Sequence, residues 1–561
     1  MVNKAVIGGF SAILLVAAVI GVVALVTRSP SGGGASNYSP AAAQLTATSK
    51  SVSALCAPTV YKDACASTLT GAINDSSTPG DIIRAAVNVI TGEVRIAYGK
   101  TLDLSSQAKG SIDVDGFAFC KQLLGDAGDQ LGAVIAEADD GSRLDDFQAW
   151  LSMVISYRTN CLASIESKDL NAQMTAALQN TTQLADNAIA IISAVGKLAG
   201  ELNLNFNNTA GFSVTGRRLA STGYPSWIRG ADRKLLSSSR VIPPSARPNA
   251  VVAKDGSGQF KSINAALNAM PETYRGRYVI YVKAGVYSEQ VNVDKQKTNL
   301  LIYGDGPRKT IVTGRLNNAE GVGTYRTATF AVQAPGFIAR SIGFANTAGP
   351  QGHQAVALRL NADAAIIYNC RIDGFQDSFY TQTGRHFVRN SVISGTVDFI
   401  FGDSQVVIQN SLIILRRPMD NQENTVTAQG KDSPTELAGI VLQNCRIVPD
   451  LRLFPDRFTI PNYLGRPWKK FSTTVVMEST IGDLIRPEGW MPWDGDFALD
   501  TLYYAEYNNR GPGSPTNRRV QWRGFHVINR NQAVSWTAGV LLKGKEWIPY
   551  AGIPNSLNLM K

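Results

Sequence analysis

The apolar positions of this chain follow two rhythms. From about Ser49 to Leu204 they recur every three or four residues with few Gly or Pro, as in Asp81–Leu102 and Asn171–Leu202. That spacing predicts long amphipathic helices, and short connections between them predict an antiparallel, all-α four-helix bundle over residues 49–204. Further on, the runs become short and β-branched, broken by Gly, Asn and Asp. V-V-A-K-D-G-S-G at 251–258 reads as a strand entering a Gly turn, and Ile263–Met270 as a helix closing one end. G-V-Y-S-E at 285–289 and I-Y-G-D-G at 302–306 give more strand and turn units, and G-V-G-T-Y-R-T-A-T-F at 321–330 leads into the first strong repeat. The tail from about Asn508, with Trp522, Trp536 and Trp547, is expected to pack along the side.

The short runs repeat. Y-N-C-R-I at 368–372, R-N-S-V-I at 389–393, Q-N-S-L-I at 409–413 and Q-N-C-R-I at 443–447 share an Asn followed three residues later by Ile. β-formers such as Ile366, Val388, Val407 and Val441 precede them, and weaker copies sit at Ala339–Ile342 and Glu478–Ile481. The copies are 30, 21, 20, 34 and 34 residues apart. A fixed unit with variable insertions predicts a solenoid, and the β-rich units predict a right-handed parallel β-helix. Equivalent positions then stack at about 4.8 Å.

This register brings two acids together. Asp377, in G-F-Q-D-S-F-Y, and Asp398, in G-T-V-D-F-I-F-G, are 21 residues apart, each eight residues after its repeat Asn. A surface ion-pair site or a calcium site would also use adjacent carboxylates. Phe375, Phe379, Tyr380, Phe399 and Phe401 around them favour a substrate cleft instead. Two acids forced together split their pKa values, which suits an acid-plus-nucleophile mechanism.

The ends and joints of the chain set its compartment. Within residues 1–28, Ala5–Val26 is an uncharged run of 22 residues between Lys4 and Arg28. It exceeds the usual signal-peptide core of about 7–15 residues, so it reads as a signal anchor with a cytoplasmic amino end; a cleaved signal peptide is the alternative. Either reading places the remainder in the secretory pathway, in agreement with N-glycosylation sequons at Asn37, Asn74, Asn180 and Asn207. Residues 29–48 read as a flexible tether. Residues 205–240 form a linker before the catalytic region at 241–561. It carries the basic clusters R-R-L-A, with Arg217 and Arg218, and R-K-L-L, with Arg233 and Lys234. Exposed basic clusters at a fold boundary are candidate sites for a processing protease.

Charge and cysteines sharpen the division. Up to Leu236 there are 18 basic and 19 acidic residues, a net of −1; from Ser237 there are 36 and 25, a net of +11. A basic second part would attract a polyanion. With no nucleic-acid-binding signature present, an acidic polysaccharide ranks above nucleic acid. Four of the six cysteines, Cys56, Cys65, Cys120 and Cys161, fall in the helical part, where two disulfides allow three pairings.

The blocks N-T-A-G-P-Q-G-H-Q-A-V-A-L-R from Asn346, G-F-Q-D-S-F-Y, G-T-V-D-F-I-F-G and L-G-R-P-W at 464–468 together resemble the plant pectin methylesterases. The resemblance covers about residues 245–555, and the preceding part resembles the invertase and pectin methylesterase inhibitor family. It implies hydrolysis of pectin methyl esters, with Asp398 as nucleophile and Asp377 as general acid and then base. It implies Gln354 and Gln376 as oxyanion donors, Arg466 as the partner orienting Asp398, and Trp468 as a flat surface for a sugar ring. Thr324 is carried over as a substrate-binding position, and Phe375, Phe401 and Trp493 are expected to line the cleft. The resemblance further favours the pairings Cys56–Cys65 and Cys120–Cys161. It makes the helical part a pro-region that inhibits the enzyme or aids its folding, and it implies a protein inhibitor as a further partner and a monomer after processing. No cofactor and no metal are called for.

A Ser–His–Asp scheme fails, because His353, His386 and His526 are the only histidines and none follows a G-x-S-x-G elbow. A pectate lyase or polygalacturonase would share the solenoid but needs other acids. A wall-binding protein without activity would not retain Asp377, Asp398 and Arg466. The family's disulfide in this region is replaced by Ser391 and Ser411, and Phe375 and Ser378 stand where Tyr and Thr are common. Cys370 and Cys445, three coils apart and so roughly 14 Å, are expected to be free thiols, because a disulfide needs Cα atoms within about 7 Å.

Overall fold

A computed structural model describes residues 52–74, 77–202, 248–274 and 276–560. The helical part contains four long helices, Pro79–Ser105, Ser111–Glu137, Leu144–Ala163 and Lys168–Leu202, after a shorter one at Lys62–Leu69. The first long helix starts two residues before the Asp81–Leu102 stretch read from the sequence. Pro79 takes the first position, the Asp81 amide donates to Thr78 Oγ1 at 3.1 Å, and the Thr78 amide donates to Asp81 Oδ2 at 2.9 Å. This is a reciprocal cap. The helix buries Ile83, Val87, Ile90, Val94 and Ala97 along one stripe. The disulfides are Cys56–Cys65 and Cys120–Cys161, the pairing that the resemblance favoured.

The second part is a parallel β-solenoid of three sheets with eleven, eight and seven strands. Every strand pairing is parallel, so each coil contributes one strand to each sheet in turn. The repeated Asn is explained by the turn between the eleven- and eight-stranded sheets. Asn369, Asn390, Asn410 and Asn444 all have φ between 49° and 52°, the left-handed region that Asn tolerates better than most residues. Their side chains form part of a ladder, with Asn369 Nδ2 donating to Ser341 Oγ at 2.8 Å and Asn444 Nδ2 to Asn410 Oδ1 at 2.8 Å.

The weaker copy at Ala339–Ile342 is corrected by two residues. Ser341, not Ala339, takes the left-handed turn, with φ 53°. Ile372 pairs with Phe344 rather than with Ile342. The Ile match misled because this coil uses Phe at the core position. The copy at Glu478–Ile481 is in register, since Ile447 pairs with Ile481.

Helix Ile263–Asn268, capped by the Ser262 hydroxyl, packs against the first strands of two sheets and closes that end. The tail covers the outer face of the eleven-stranded sheet, with Ile528, Leu542, Trp547 and Ile548 packing on the row containing Ile366, Phe387, Val407 and Val441. Cys370 and Cys445 are free and buried. The Cys370 amide donates to Ser391 Oγ, and the Ser391 amide to Ser411 Oγ, each at 3.1 Å. The two serines thus continue the ladder by hydrogen bonds. No described helix is long and apolar enough to cross a membrane. The Ala5–Val26 run, the Asn37 and Asn207 sequons, and Arg217, Arg218, Arg233 and Lys234 lie outside the described residues. Asn74 and Asn180 are exposed.

Candidate active site

The seven-stranded sheet presents the two acids. Strands Phe379–Thr383 and Ile400–Gly402 pair with Phe379 opposite Ile400, which sets Asp377 level with Asp398. Both acids sit in tight turns, with φ 61° and 52°. Each turn begins with a Gly, at 374 and 395, where a Cβ would lie 2.5 Å from Ser378 Oγ and 2.2 Å from Phe399 Cβ respectively. Glycine lets each turn fold back onto its own strand.

The carboxyl groups differ in their partners. Asp398 accepts from Arg466 Nε at 2.8 Å and Nη2 at 2.7 Å, a two-pronged contact, and from Thr425 Oγ1 at 2.7 Å. Trp493 lies over the Arg466 guanidinium, 4.4 Å from ring centroid to Cζ. Asp377 makes no side-chain hydrogen bond among the described residues. Burial first, and then the charge of Asp398, push its pKa well above the usual carboxylate range, with Arg466 opposing.

The surrounding groups converge from several coils. Gln354 and Gln376 sit on consecutive turns, bridged by the Ala355 amide donating to the Gln376 carbonyl at 3.2 Å. Neither carboxamide makes a hydrogen bond among the described residues. Phe401 stacks on Tyr380 at 4.3 Å and meets Trp468 edge-on at 6.1 Å. Arg416 lies over Phe375 at 3.8 Å and donates to the Gly374 carbonyl at 2.7 Å. An apolar, partly open wall therefore stands beside one paired and one unpaired carboxyl.

Comparison with known proteins decides the family. The pectinesterase family model matches residues 249–545, and that of the plant invertase/pectin methylesterase inhibitors matches residues 50–191. Pectinesterase 4 of Arabidopsis thaliana is 40% identical over 613 aligned residues, covering 100% of both chains. Probable pectinesterase/pectinesterase inhibitor 58 of the same plant is 41% identical, covering 98% of this chain and 97% of its own. The pectin methylesterase from carrot has 48% identity and a TM-score of 0.56, over 56% of this chain and all of its own. The chain belongs to the pectinesterase family.

Pectinesterases are carboxylic ester hydrolases, and the residues expected for that chemistry lie on this one sheet or the turns entering and leaving it. Asp377, Asp398, Gln354, Gln376 and Arg466 do so directly. Phe401 and Trp468 share an apolar cluster with Tyr380. Thr324 opens the 3-10 turn Thr324–Thr327, whose Tyr325 packs against that cluster. Phe375 lies under Arg416, and Trp493 over Arg466. His353, exposed and with φ 54°, precedes Gln354. Sequence reasoning about the pectinesterase region did not single out Thr425 or Arg416 beside the two acids. Thr425 lies 27 residues after Asp398, and an insertion in that coil hides it from any fixed spacing. Arg416 gave no local signal, whereas Tyr380 is named among the aromatics around the acids.

Proposed function

We propose that the chain hydrolyses methyl esters of galacturonan in pectin, releasing methanol and leaving free carboxylates. The observation that carries the assignment of roles is the contrast between Asp398, held by Arg466 and Thr425, and Asp377, level with it and without a partner. A carboxylate only accepts hydrogen bonds, which matches the three donors at Asp398 and suits a nucleophile. A carboxyl with a raised pKa retains its proton and suits a general acid.

Asp398 attacks the ester carbonyl carbon, and the developing oxyanion receives N–H donors from Gln354 and Gln376. Asp377 protonates the methoxy oxygen as its bond to carbon breaks, so methanol leaves and an acyl–Asp398 anhydride remains. Asp377, now ionised, takes a proton from water as the water oxygen attacks the anhydride carbonyl; the bond to Asp398 breaks, Asp398 leaves as carboxylate, and the new galacturonic acid gives its proton to solvent. The Trp468, Phe401 and Phe375 faces hold the sugar rings, together with Trp493 and Thr324.

The inhibitor-like region 49–204 acts as a pro-region on the same chain. Cleavage by a secretory-pathway protease at the linker 205–240 frees residues 241–561 as a monomer in the cell wall, open to separate inhibitor proteins. Methanol release from esterified pectin by the chain and by Asp398→Asn, each after cleavage at the linker 205–240 and with circular dichroism as the fold control, tests the assignment. Near-normal release by the folded variant refutes it.

A further inference from the structure

Beside the strand Asn462–Gly465, a groove of about 500 Å³ opens between residues 483–487 and 512–519. Arg519 fixes its width. The guanidinium donates to the Pro487 carbonyl on one wall at 3.0 Å and the Gly513 carbonyl on the other at 2.7 Å. Buried Glu506 neutralises it. On the rim, Arg457 pairs with Asp483 at 3.1 Å. Arg486 and Arg518 have no carboxylate partner among the described residues. The groove lining therefore keeps two guanidinium groups outside any ion pair. Its edge is aromatic, with Arg457 Cζ 4.1 Å from the ring centroids of both Phe454 and Phe458. Phe458 remains 58% exposed.

One segment joins this groove to the reacting groups. The Arg486 amide donates to the Asn462 carbonyl at 2.9 Å, the Leu464 amide to Gly489 at 2.7 Å and the Met491 amide to Gly465 at 3.0 Å. The same segment then places Trp493 over Arg466. From Asn462 to Arg466 is four residues, or about 13 Å of extended strand. A single polysaccharide can reach both places.

We propose that this groove binds unesterified galacturonan, the product of the reaction, through Arg486 and Arg518, with Phe458 as a shelf for a sugar ring. The proposal rests on the pectinesterase reading given above. A methyl-esterified sugar is neutral and gives the arginines nothing to pair with. Each hydrolysed sugar carries a carboxylate, which a guanidinium binds with two parallel hydrogen bonds. Affinity for the groove thus rises as a polymer is processed. The product end then holds the enzyme on that polymer and raises the effective concentration of the next ester at the active site.

The test compares the full chain with its Arg486→Gln/Arg518→Gln and Phe458→Ala variants, by titration calorimetry at low salt. With unesterified oligogalacturonate, the double variant is expected to bind about tenfold more weakly. Phe458→Ala should weaken this binding but leave polyglutamate of matched charge unaffected. After cleavage at the linker 205–240, methanol release from a short esterified oligomer should be unchanged in both variants, while KM on partly esterified polymer rises. Unchanged oligogalacturonate affinity in a folded double variant overturns the proposal. Equal loss for polyglutamate in Phe458→Ala overturns the sugar shelf. If the double variant fails to fold, Arg518→Gln, at an exposed position, carries the same reading. Absence of methanol release by the unaltered chain after cleavage at the linker 205–240 would refute the enzymatic reading without moving the affinity measurement.

Discussion

The turns at Gly374–Ser378 and Gly395–Phe399 have nearly the same backbone and opposite electrostatics. Both open with glycine, both hold their Asp in the left-handed region, and the coil register sets them side by side. The coils beyond supply Thr425 and Arg466 to Asp398 and leave Asp377 unpaired. A repeat therefore builds two equal seats, and residues arriving from other coils decide what each seat does.

The largest expected effect comes from removing the contrast at its unpaired side. Asp377→Asn should lower kcat by at least about a thousandfold, within the range for a general acid–base group, measured as methanol release. The Asp377/Asp398 double substitution should lose little more than either single one, because the two act as one unit. Asp377 also gives a sign for stability. Its native pKa is raised above the unfolded value of about 3.9. Its stabilising contribution is present at low pH and is lost as pH rises through the native value. Asp377→Asn, neutral throughout, should therefore melt higher than the unaltered chain at neutral pH, with the gain vanishing below about pH 3.9. In the unaltered chain, kcat/KM should fall as pH rises through the same raised pKa.

Arg466→Lys sharpens the other side. An ammonium cannot reproduce both prongs, and losing one charge-assisted bond should lower kcat/KM by about ten- to a hundredfold. Thr425→Val removes the third donor and should cost about tenfold in kcat. Because Thr425 Oγ1 also accepts from the Asp398 amide at 2.8 Å, Tm should drop modestly. Arg416→Lys is expected to be the mildest. It keeps the charge over Phe375 but loses the flat stacking face, for a few-fold fall in kcat with KM nearly unchanged. Equal kcat for Arg416→Lys and the unaltered chain would show that the Gly374 turn needs no clamp.

Much of this was readable from the sequence, for identifiable reasons. The Asn repeat marks a turn that demands positive φ, so it exposed the coil register, and with it the pairing of Asp377 with Asp398 and the separation of Cys370 from Cys445. The register failed by two residues at Ser341, where the turn residue was not Asn and Ile342 imitated the core position. Helix Pro79–Ser105 was plain from its apolar spacing over Asp81–Leu102, whereas its Thr78/Asp81 cap was not read. Thr425, by contrast, acts across an insertion of variable length, and Arg416 acts through a backbone carbonyl and a ring face. Neither relation leaves a periodic trace.

The two solitary thiols have a consequence for how the molecule is assembled. Winding the solenoid buries Cys370 and Cys445, and burial pushes each thiol up to about 12. Thiolate, the form that attacks a disulfide, is then nearly absent at neutral pH. Six cysteines free to exchange could be joined in 15 ways, whereas four leave three. A solenoid that closes early therefore withdraws its sulfurs from the lottery, and the cysteines of the helical part sort themselves out among three outcomes instead of fifteen.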